Sequence, residues 1–244
     1  MCENKIIIMC GGKGKRLGNL TESIPKTLIK IGEKTILEMK FDNYMNQGFK
    51  DFILCIGYKG NLIEKAVEEF KFPFNCKFSD DGEPAGILKR LNKAKDLFED
   101  KVILTYGDTF ADIKLSLLSE MHEKSGNEAT IVVAPIQNPF GLVEFDSRGK
   151  VTYFKEKPIL NYYIGYAVIN KSALELIPQR ITDMPDGDGL ITFYRILMAM
   201  EKLGTFYHSG LQMTFNTEDE LKYVRRKFAD FYTNKEDKWK TNIF

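Results

Sequence analysis

The chain has 244 residues, 43% of them hydrophobic, with 35 Lys and Arg against 34 Asp and Glu. This balance gives no electrostatic reason to expect a nucleic-acid or anionic-membrane partner. No apolar run reaches the roughly 20 residues that span a bilayer, and Ile6–Met9 is too short for a signal-peptide core. Four cysteines without C-x-x-C spacing argue against a zinc site and indicate a reducing compartment. We therefore expect a cytoplasmic protein; whether it is a monomer or a homo-oligomer is open.

Short apolar runs alternate with helix-period stripes through the first part of the chain. The runs predict strands at 6–9, 52–56, 76–78 and 102–106, and the stripes predict helices through 37–45, 63–70 and 87–98. From about residue 130, closely spaced strand candidates follow at 130–134, 142–145, 151–154 and 164–169. A helix is predicted over about 190–203, and another opens at Thr217 with Glu220 completing a capping box. The pattern predicts a Rossmann-like α/β fold: a mostly parallel sheet, helices on both faces, and a small antiparallel lobe in the second half.

A glycine-rich, basic loop directly follows the first strand. Glycines let the backbone approach a polyphosphate, and basic side chains supply cations; the loop comprises Gly11, Gly12, Lys13, Gly14, Lys15 and Arg16. Lys26 is close enough in sequence to return to it. The spacing matches neither the P-loop nor the G-x-G-x-x-G dinucleotide fingerprint, which disfavours kinases and dehydrogenases. A flexible turn with solvated lysines is the simpler alternative.

A second polar cluster surrounds Asp108, where the strand at 102–106 ends. Ligands of open α/β sheets bind outside the carboxyl ends of the strands. A carboxylate there is well placed to hold Mg²⁺ against triphosphate oxygens. The alternative is that Asp108 only caps a following helix. Two such clusters at one sheet edge favour the nucleotide-binding interpretation.

These motifs resemble the landmarks of the sugar-phosphate nucleotidyltransferases. The similarity rests on Gly11–Leu17 with Pro25-Lys26, on Gly107-Asp108 and on Glu156-Lys157-Pro158, in order over nearly the whole chain. Within that family, the motifs resemble those of the glucose-1-phosphate cytidylyltransferase branch. The resemblance implies a Mg²⁺-dependent enzyme that joins CTP to a small phosphorylated acceptor. It implies catalysis by Arg16 and Lys26, nucleotide binding by the glycine-rich loop with Gly82, Gly86 and Asp108, acceptor binding by Glu156, Lys157 and Tyr163, and a metal at Asp108 and Asn216.

The chain departs from the family pattern at positions that concern the metal and the acceptor. Asn216 stands where the family has a second metal-binding Asp. Tyr163-Ile164-Gly165 replaces the Asn-Gly-Gly stretch that makes room for a hexose. The retained Lys157 and the lost sugar-binding residues together predict a phosphorylated acceptor that is not a hexose. This hybrid pattern resembles that of cytidylyltransferases that act on L-glutamine phosphate in capsule biosynthesis.

The expected organisation is one domain, 1–244. Residues 1–130 form its nucleotide-binding half, 131–216 its acceptor-binding half, and 217–244 a C-terminal helix and tail. Two other functions stay open. One is a sugar-1-phosphate nucleotidyltransferase that makes a nucleotide sugar, and the other is a non-catalytic nucleotide sensor.

Overall fold

A computed structural model describes residues 4–70, 73–185 and 187–233; the side chains of Lys15, Asn19 and 228–233 lie outside this description. Within these ranges the strands are β1 (Lys5–Met9), β2 (Lys30–Ile31), β3 (Lys34–Thr35), β4 (Asp51–Ile56), β5 (Asn75–Asp80), β6 (Lys101–Tyr106), β7 (Thr109–Ala111), β8 (Ala129–Gln137), β9 (Leu142–Phe145), β10 (Val151–Lys155), β11 (Ile159–Asn170), β12 (Leu203–Tyr207) and β13 (Gln212–Thr214).

Seven of these strands form one central sheet in the order β12-β8-β11-β6-β1-β4-β5. β1 pairs in parallel with β4 and β6, β4 with β5, and β12 with β8. Only β11 runs against its neighbours, β6 and β8. The predicted mostly parallel sheet is therefore confirmed.

The described α-helices are α1 (Asn19–Ser23), α2 (Ile36–Asn46), α3 (Gly60–Glu69), α4 (Ile87–Lys93), α5 (Leu115–Ser125), α6 (Lys171–Glu175), α7 (Gln179–Thr182), α8 (Asp188–Ala199) and α9 (Glu218–Thr233). Short 3-10 helices cover Lys15–Leu17, Lys26–Leu28 and Ala94–Leu97. None of the helices in this part of the chain combines the length and the apolar character needed to cross a membrane.

Helices cover both faces of the sheet. Ile6 and Ile8 of β1 face the core beneath α2, α3 and α5, while Ile7 and Met9 face the core beneath α4, α6 and α8. A strand that is buried on both faces of a sheet is apolar at nearly every position. This explains the uninterrupted run that predicted β1 and confirms helices on two faces.

The second half differs in detail from the sequence prediction. The predicted strands at 130–134 and 164–169 belong to β8 and β11 of the central sheet, so the small lobe is reduced to the antiparallel pair β9–β10. The predicted helix over 190–203 ends at Ala199, and Glu201 turns the chain with a φ of 56° before β12. Apolar residues at 190–203 serve a helix and then a strand, which periodicity alone does not separate.

The last helix begins as predicted. The Glu220 amide donates to the Thr217 hydroxyl, and the Glu220 carboxylate accepts from the Thr217 amide, which is the expected capping box. Leu221 and Val224 then pack into a third apolar cluster with Phe215. This packing holds the segment around Asn216 at the sheet edge.

Candidate active site

A cleft of about 640 Å³ opens at the carboxyl ends of the central strands. Its walls come from the loops after β1, β5 and β6, joined by the segment around Lys26. A second cavity of about 310 Å³ continues from it and adds Asn216. The two cavities share the following residues: Gly12, Lys13, Gly14, Arg16, Lys26 and Asp108. The structure thus brings both predicted polar clusters to one site.

The glycine-rich loop is fixed by backbone contacts on both sides. The Tyr58 amide donates to the Gly11 carbonyl at 3.2 Å, and the Leu17 amide donates to the Gly14 carbonyl at 2.9 Å. Gly14 has a φ of 63°, and a Cβ there would lie 3.1 Å from the Thr21 side chain. Glycine is required at this position for its backbone conformation and for the close approach of Thr21.

Two cations and two oxygen ligands form a connected network between the cavities. The Lys26 ammonium lies 2.8 Å from an Asp108 carboxylate oxygen and 3.2 Å from the Asn216 amide oxygen. The Arg16 guanidinium donates to the same amide oxygen at 2.9 Å. Lys26 is buried and also stands 5.2 Å from the centre of the Phe215 ring. Residues 200 positions apart therefore meet in one polar cluster, and Arg16 itself is exposed to the cleft.

The donor set around Lys26 suits a metal that is shared with a bound nucleotide. Asp108 offers a carboxylate and Asn216 an amide oxygen, both within hydrogen-bond reach of one ammonium. Mg²⁺ is commonly held by one or two protein oxygens together with phosphates. No group of three or more His, Cys, Asp or Glu side chains in the described ranges could hold a metal alone. The residues fit Mg²⁺ that arrives with a triphosphate.

Lys13 lies at the mouth of the cleft, where it pairs with Glu83 of the loop between β5 and α4. The hydrogen bond to Glu83 raises the pKa of Lys13 above its usual range. Its ammonium also stands 5.5 Å from the Tyr58 ring centre. Lys13 therefore links the two loops that face each other across the cleft. The side chain of Lys15, the other predicted loop cation, lies outside the described residues.

Arg90 is a site residue that sequence reasoning missed. Its guanidinium is buried and donates to main-chain carbonyls of three segments, namely Gly11, Ile56 and the 82–85 loop. A Cβ on Gly11 or Gly57 would collide with the guanidinium. The signal was present, since Arg90 follows Ile87 by three residues and so shares the apolar stripe of α4.

The two predicted glycines of this loop both accept a hydrogen bond from Arg90 through their carbonyls. Gly82 has a φ of 76°, and its carbonyl accepts from Arg90 at 2.7 Å. Gly86 is the N-cap of α4 and lies close by, but neither glycine is among the residues lining the cleft. Glu83, Pro84 and Ala85 line it instead. The loop is thus part of the site, with Gly82 and Gly86 shaping its backbone.

Cys10 also lines the cleft, yet its chemistry is suppressed. Burial raises the pKa of the Cys10 thiol far above its usual range, and Cys55 adds to the effect. A thiol that stays protonated is a poor nucleophile. Cys10 is therefore poorly suited to act as a nucleophile in this cleft.

The predicted acceptor residues Glu156 and Lys157 are exposed and do not line the described cleft. They lie between β10 and β11, and Lys157 has a φ of 42°. This left-handed conformation is unfavourable for a side chain with a Cβ. The structure does not place Lys157 in the cleft wall, and its role in acceptor binding stays a prediction.

Tyr163 contacts the cleft indirectly, through a second tyrosine in the cleft wall. Its ring lies edge-on to Tyr106, which lines the cleft, with centroids 5.8 Å apart. On the other side it meets Tyr194, whose hydroxyl is 3.2 Å away. Burial, with Tyr194 nearby, raises the pKa of Tyr163 well above its usual range. Gly165, with a φ of 76°, is needed because a Cβ there would press on Tyr106. The three tyrosines form an aromatic wall beside the site.

Residues 5–173 match the nucleotidyl transferase family. Among curated proteins, glucose-1-phosphate cytidylyltransferase of Salmonella typhi is 28% identical, with 90% of this chain and 94% of that protein covered. Mannose-1-phosphate guanylyltransferase catalytic subunit beta of Drosophila pseudoobscura pseudoobscura is 31% identical. That match covers 74% of this chain and 52% of the relative.

Solved structures show the same fold at lower identity. A Bacillus anthracis protein crystallised with sucrose superposes with a TM-score of 0.72 at 18% identity, covering 93% of this chain and 95% of that one. HddC from Yersinia pseudotuberculosis, crystallised with GMP-PN, gives a TM-score of 0.69 at 19% identity, covering 92% and 99%. These similarities confirm the Rossmann-like architecture.

Proposed function

The chain belongs to the nucleotidyl transferase family, and we propose that it transfers a cytidylyl group from CTP to a small phosphorylated acceptor with release of pyrophosphate. The observation that carries this proposal is the network of Arg16, Lys26, Asp108 and Asn216 at the carboxyl edge of the sheet. Cations beside metal-binding oxygens are what a triphosphate requires.

The chemistry follows from the charges at the reacting centre. An oxygen of the acceptor phosphate attacks the α-phosphorus of CTP, a new P–O bond forms, and the bond to the pyrophosphate oxygen breaks. The nucleophile is already an anion, so no proton has to be removed. The barrier comes from repulsion between two anions and from charge that grows on the leaving group. Arg16 and Lys26 stabilise that charge from fixed positions in the cleft.

Asp108 and Asn216 would hold Mg²⁺ together with the triphosphate, and the ion would neutralise phosphate charge there. Asn216 contributes an oxygen without a formal charge. The pair therefore has one negative charge fewer than two aspartates. Such a site binds the metal mainly with its nucleotide, and we expect the metal requirement of the reaction to depend on nucleotide concentration.

Cytosine is the proposed base because the cytidylyltransferase relative matches more of this chain than the guanylyltransferase relative does. The cytidylyltransferase match covers 90% of this chain, whereas the guanylyltransferase match covers 74%. The loop formed by Glu83, Pro84 and Ala85 lines the part of the cleft that Asn216 does not reach, so we assign base recognition to it.

The acceptor we propose is L-glutamine phosphate, for use in modifying a capsule or another surface polysaccharide. Support comes from Tyr163, whose ring lies against the cleft residue Tyr106, at a position where the related motif has Asn. We infer that a bulky ring at this position disfavours a pyranose acceptor. A hexose 1-phosphate is the second candidate, because the cytidylyltransferase relative is named for glucose 1-phosphate.

The test is pyrophosphate release with Mg²⁺, crossing CTP, UTP, GTP and dTTP with L-glutamine phosphate and with hexose 1-phosphates. We expect turnover with CTP and L-glutamine phosphate, and its loss in Lys26→Met. Faster turnover with glucose 1-phosphate would replace the acceptor but keep the reaction. Nucleotide binding without pyrophosphate from any pair would refute catalysis and identify a nucleotide sensor.

A further inference from the structure

The two proposed metal-binding residues lie at one end of a short antiparallel pair of strands, β7 and β13. Asp108 directly precedes β7, and Asn216 follows the last residue of β13 by two positions. Thr109 lies opposite Thr214 in this pair, and the Thr214 hydroxyl donates to the Asp108 carbonyl at 3.3 Å. The position of the β7–β13 pair therefore sets the spacing between Asp108 and Asn216.

A buried tyrosine of β11 holds β7 against the central sheet. The Tyr166 hydroxyl accepts from the Ala111 amide at 3.2 Å and donates to the Thr109 carbonyl at 3.3 Å. The Tyr166 side chain is fully buried, so water does not compete for these contacts. A single hydroxyl thus binds both ends of β7, and its orientation decides how firmly this strand is held.

Lys40 of α2 contacts this tyrosine from within the core. The lysine side chain is fully buried, and its ammonium lies 3.1 Å from the Tyr166 hydroxyl. The hydroxyls of Tyr44 and Thr105 lie 3.0 Å and 3.2 Å from the same ammonium. These three oxygens match the three N–H groups of a lysine ammonium. Within the described ranges, Lys40 is therefore bonded to hydroxyls and has no carboxylate partner.

A buried ammonium without a carboxylate is an unfavourable way to fill a core. Taking a charge out of water costs free energy, and neutral hydroxyls offset less of that cost than a carboxylate does. Methionine has a side chain of similar length and would fill the same space with no charge to desolvate. The lysine has one advantage over methionine, because a charged donor makes a strong hydrogen bond that can fix the Tyr166 hydroxyl.

We propose that Lys40 and Tyr166 are positioning residues for the metal-binding pair Asp108 and Asn216. Lys40 orients the Tyr166 hydroxyl, the hydroxyl holds β7, and β7 with β13 carries the two oxygen ligands. Neither Lys40 nor Tyr166 is among the residues that line the two cavities, so both act through β7. The inference rests on the proposed function, because it concerns the metal that arrives with the nucleotide.

The experiment follows binding of the Mn·CTP complex through water-proton relaxation, without acceptor, so that no turnover is needed. Mn²⁺ is used because it takes the same oxygen ligands as Mg²⁺. Lys40→Met and Tyr166→Phe should each raise the Kd for Mn·CTP about tenfold, the lower end of the range for a lost outer-shell contact of a metal site. The Kd for metal-free CTP should stay unchanged, because the loops that line the cleft are intact.

Thr105→Val is the matched control for Tyr166→Phe. Each change deletes one hydroxyl from the same ammonium, but within the described ranges the Thr105 hydroxyl bonds Lys40 and not β7. The control should therefore leave the Kd for Mn·CTP unchanged. Deuterium exchange at the Ala111 amide, which donates to Tyr166, should become faster in Tyr166→Phe and Lys40→Met and stay unchanged in the control.

Thermal unfolding separates positioning from a purely structural role. Lys40→Met removes a buried charge, so the unfolding temperature should stay the same or rise while metal binding weakens. A lower unfolding temperature with an unchanged Kd for Mn·CTP would make Lys40 structural and overturn the proposal. An equal rise of this Kd in Thr105→Val would overturn it too. If Lys40→Met does not fold, Tyr166→Phe still decides, because it deletes a single oxygen atom.

Failure of the proposed function would be recognised separately. If no acceptor is turned over but Mn·CTP binds, the proposed reaction fails, and the comparison of the variants still decides the role of Lys40. The same titration with UTP, GTP and dTTP covers the choice of base. If the unmodified chain binds none of the four nucleotides with Mn²⁺, the metal site and the positioning role are both refuted.

Discussion

The Lys26 ammonium lies 2.8 Å from the Asp108 carboxylate, and the two side chains differ in exposure: 8% for Lys26 and 35% for Asp108. The lysine is thus the more costly partner to leave unpaired. When one member of a buried ion pair is removed, the other charge is left without a partner. This is costly for the buried Lys26 ammonium, whereas water reaches the Asp108 carboxylate. The pair holds the Lys26 ammonium in place, so the stability of this buried cation depends on Asp108.

We predict that Asp108→Ala destabilises the protein more than Lys26→Met does. The first change leaves a buried ammonium and should lower the free energy of unfolding by about 3 kcal/mol. The second leaves a hydrated carboxylate and should cost about 1 kcal/mol. Urea denaturation of both variants and of the double variant measures this. Equal losses would mean that Asn216 alone compensates the lysine. Both variants should lose activity by about 100-fold or more.

Arg90→Lys should weaken nucleotide binding more than it slows turnover. A lysine ammonium cannot span the carbonyls of Ile56 and Ala85, which the planar guanidinium reaches together. Each buried carbonyl left unpaired costs about 1–3 kcal/mol, so we also expect a clear loss of stability. Kinetics with varied nucleotide would show a KM raised about tenfold with a smaller change in kcat.

The matched control for Arg90→Lys is Arg180→Lys on α7, where the side chain is exposed. It should stay within about 0.5 kcal/mol of the unmodified chain and leave the KM unchanged. If Arg90 has only a structural role, Arg90→Lys will lower the stability without changing the KM for nucleotide. That result would contradict its role in positioning the 82–85 loop.

The sequence foretold the parts of this molecule that depend on short-range pattern. β1 and β6 were visible as β-branched runs, and the rule that ligands bind at strand carboxyl ends brought Gly11 and Asp108 to one edge. The fold class is confirmed, while the individual roles of the site residues remain predictions.

What sequence did not foretell depends on long-range pairing. β8 and β11 resemble hairpin strands locally, and only their partners place them in the central sheet. Arg90 gives no motif, because its importance arises from carbonyls that three distant segments bring to it. The left-handed backbone of Lys157 likewise occurs in the short connection between β10 and β11, where no sequence motif signals it.

Lys157→Gly should raise the stability of the protein and weaken acceptor binding. Glycine adopts the observed φ of 42° without the side-chain penalty, so the free energy of unfolding should rise by about 0.5–1 kcal/mol after the entropic cost of glycine. The lost ammonium should raise the KM for the acceptor at least about tenfold. Glu201→Gly, with a φ of 56° after α8, should gain similar stability with no kinetic effect. A Lys157→Gly enzyme with an unchanged acceptor KM would exclude this lysine from acceptor binding.

Tyr163→Asn should widen the acceptor range. Removing the ring takes support from Tyr106 at the cleft wall and opens space beside it. We expect kcat/KM for hexose 1-phosphates, relative to L-glutamine phosphate, to rise about tenfold. Tyr194→Phe removes only the hydroxyl that contacts Tyr163 and serves as the control. If the ratio of the two kcat/KM values is unchanged, the aromatic wall does not determine which acceptor the enzyme uses.

The two histidines of the chain should impose opposite pH dependences on stability. Burial alone would lower the pKa of His208, but Asp112 at 3.1 Å and the Leu211 carbonyl outweigh it and raise the pKa. A base with a raised pKa stabilises the fold fully below its unfolded pKa of about 6.5, and this stabilisation is lost as pH rises through the folded value. The difference in unfolding free energy between the unmodified chain and His208→Gln should therefore shrink from pH 6 to pH 9.

The pKa of His122 shifts in the opposite direction, so His122 serves as a control for the His208 measurement. Burial lowers its pKa, and its ring nitrogens lie 2.9 Å from Thr130 and from Asn170. As pH falls, His122 takes up a proton in the unfolded chain before it does so in the folded protein. The stability that neutral His122 contributes is therefore complete above about pH 6.5 and falls as pH drops below it. His122→Gln should flatten the acid side of the stability profile, and His208→Gln the alkaline side. If His208→Gln changes stability equally at pH 6 and pH 9, folding does not raise the pKa of His208, and Asp112 does not stabilise an imidazolium.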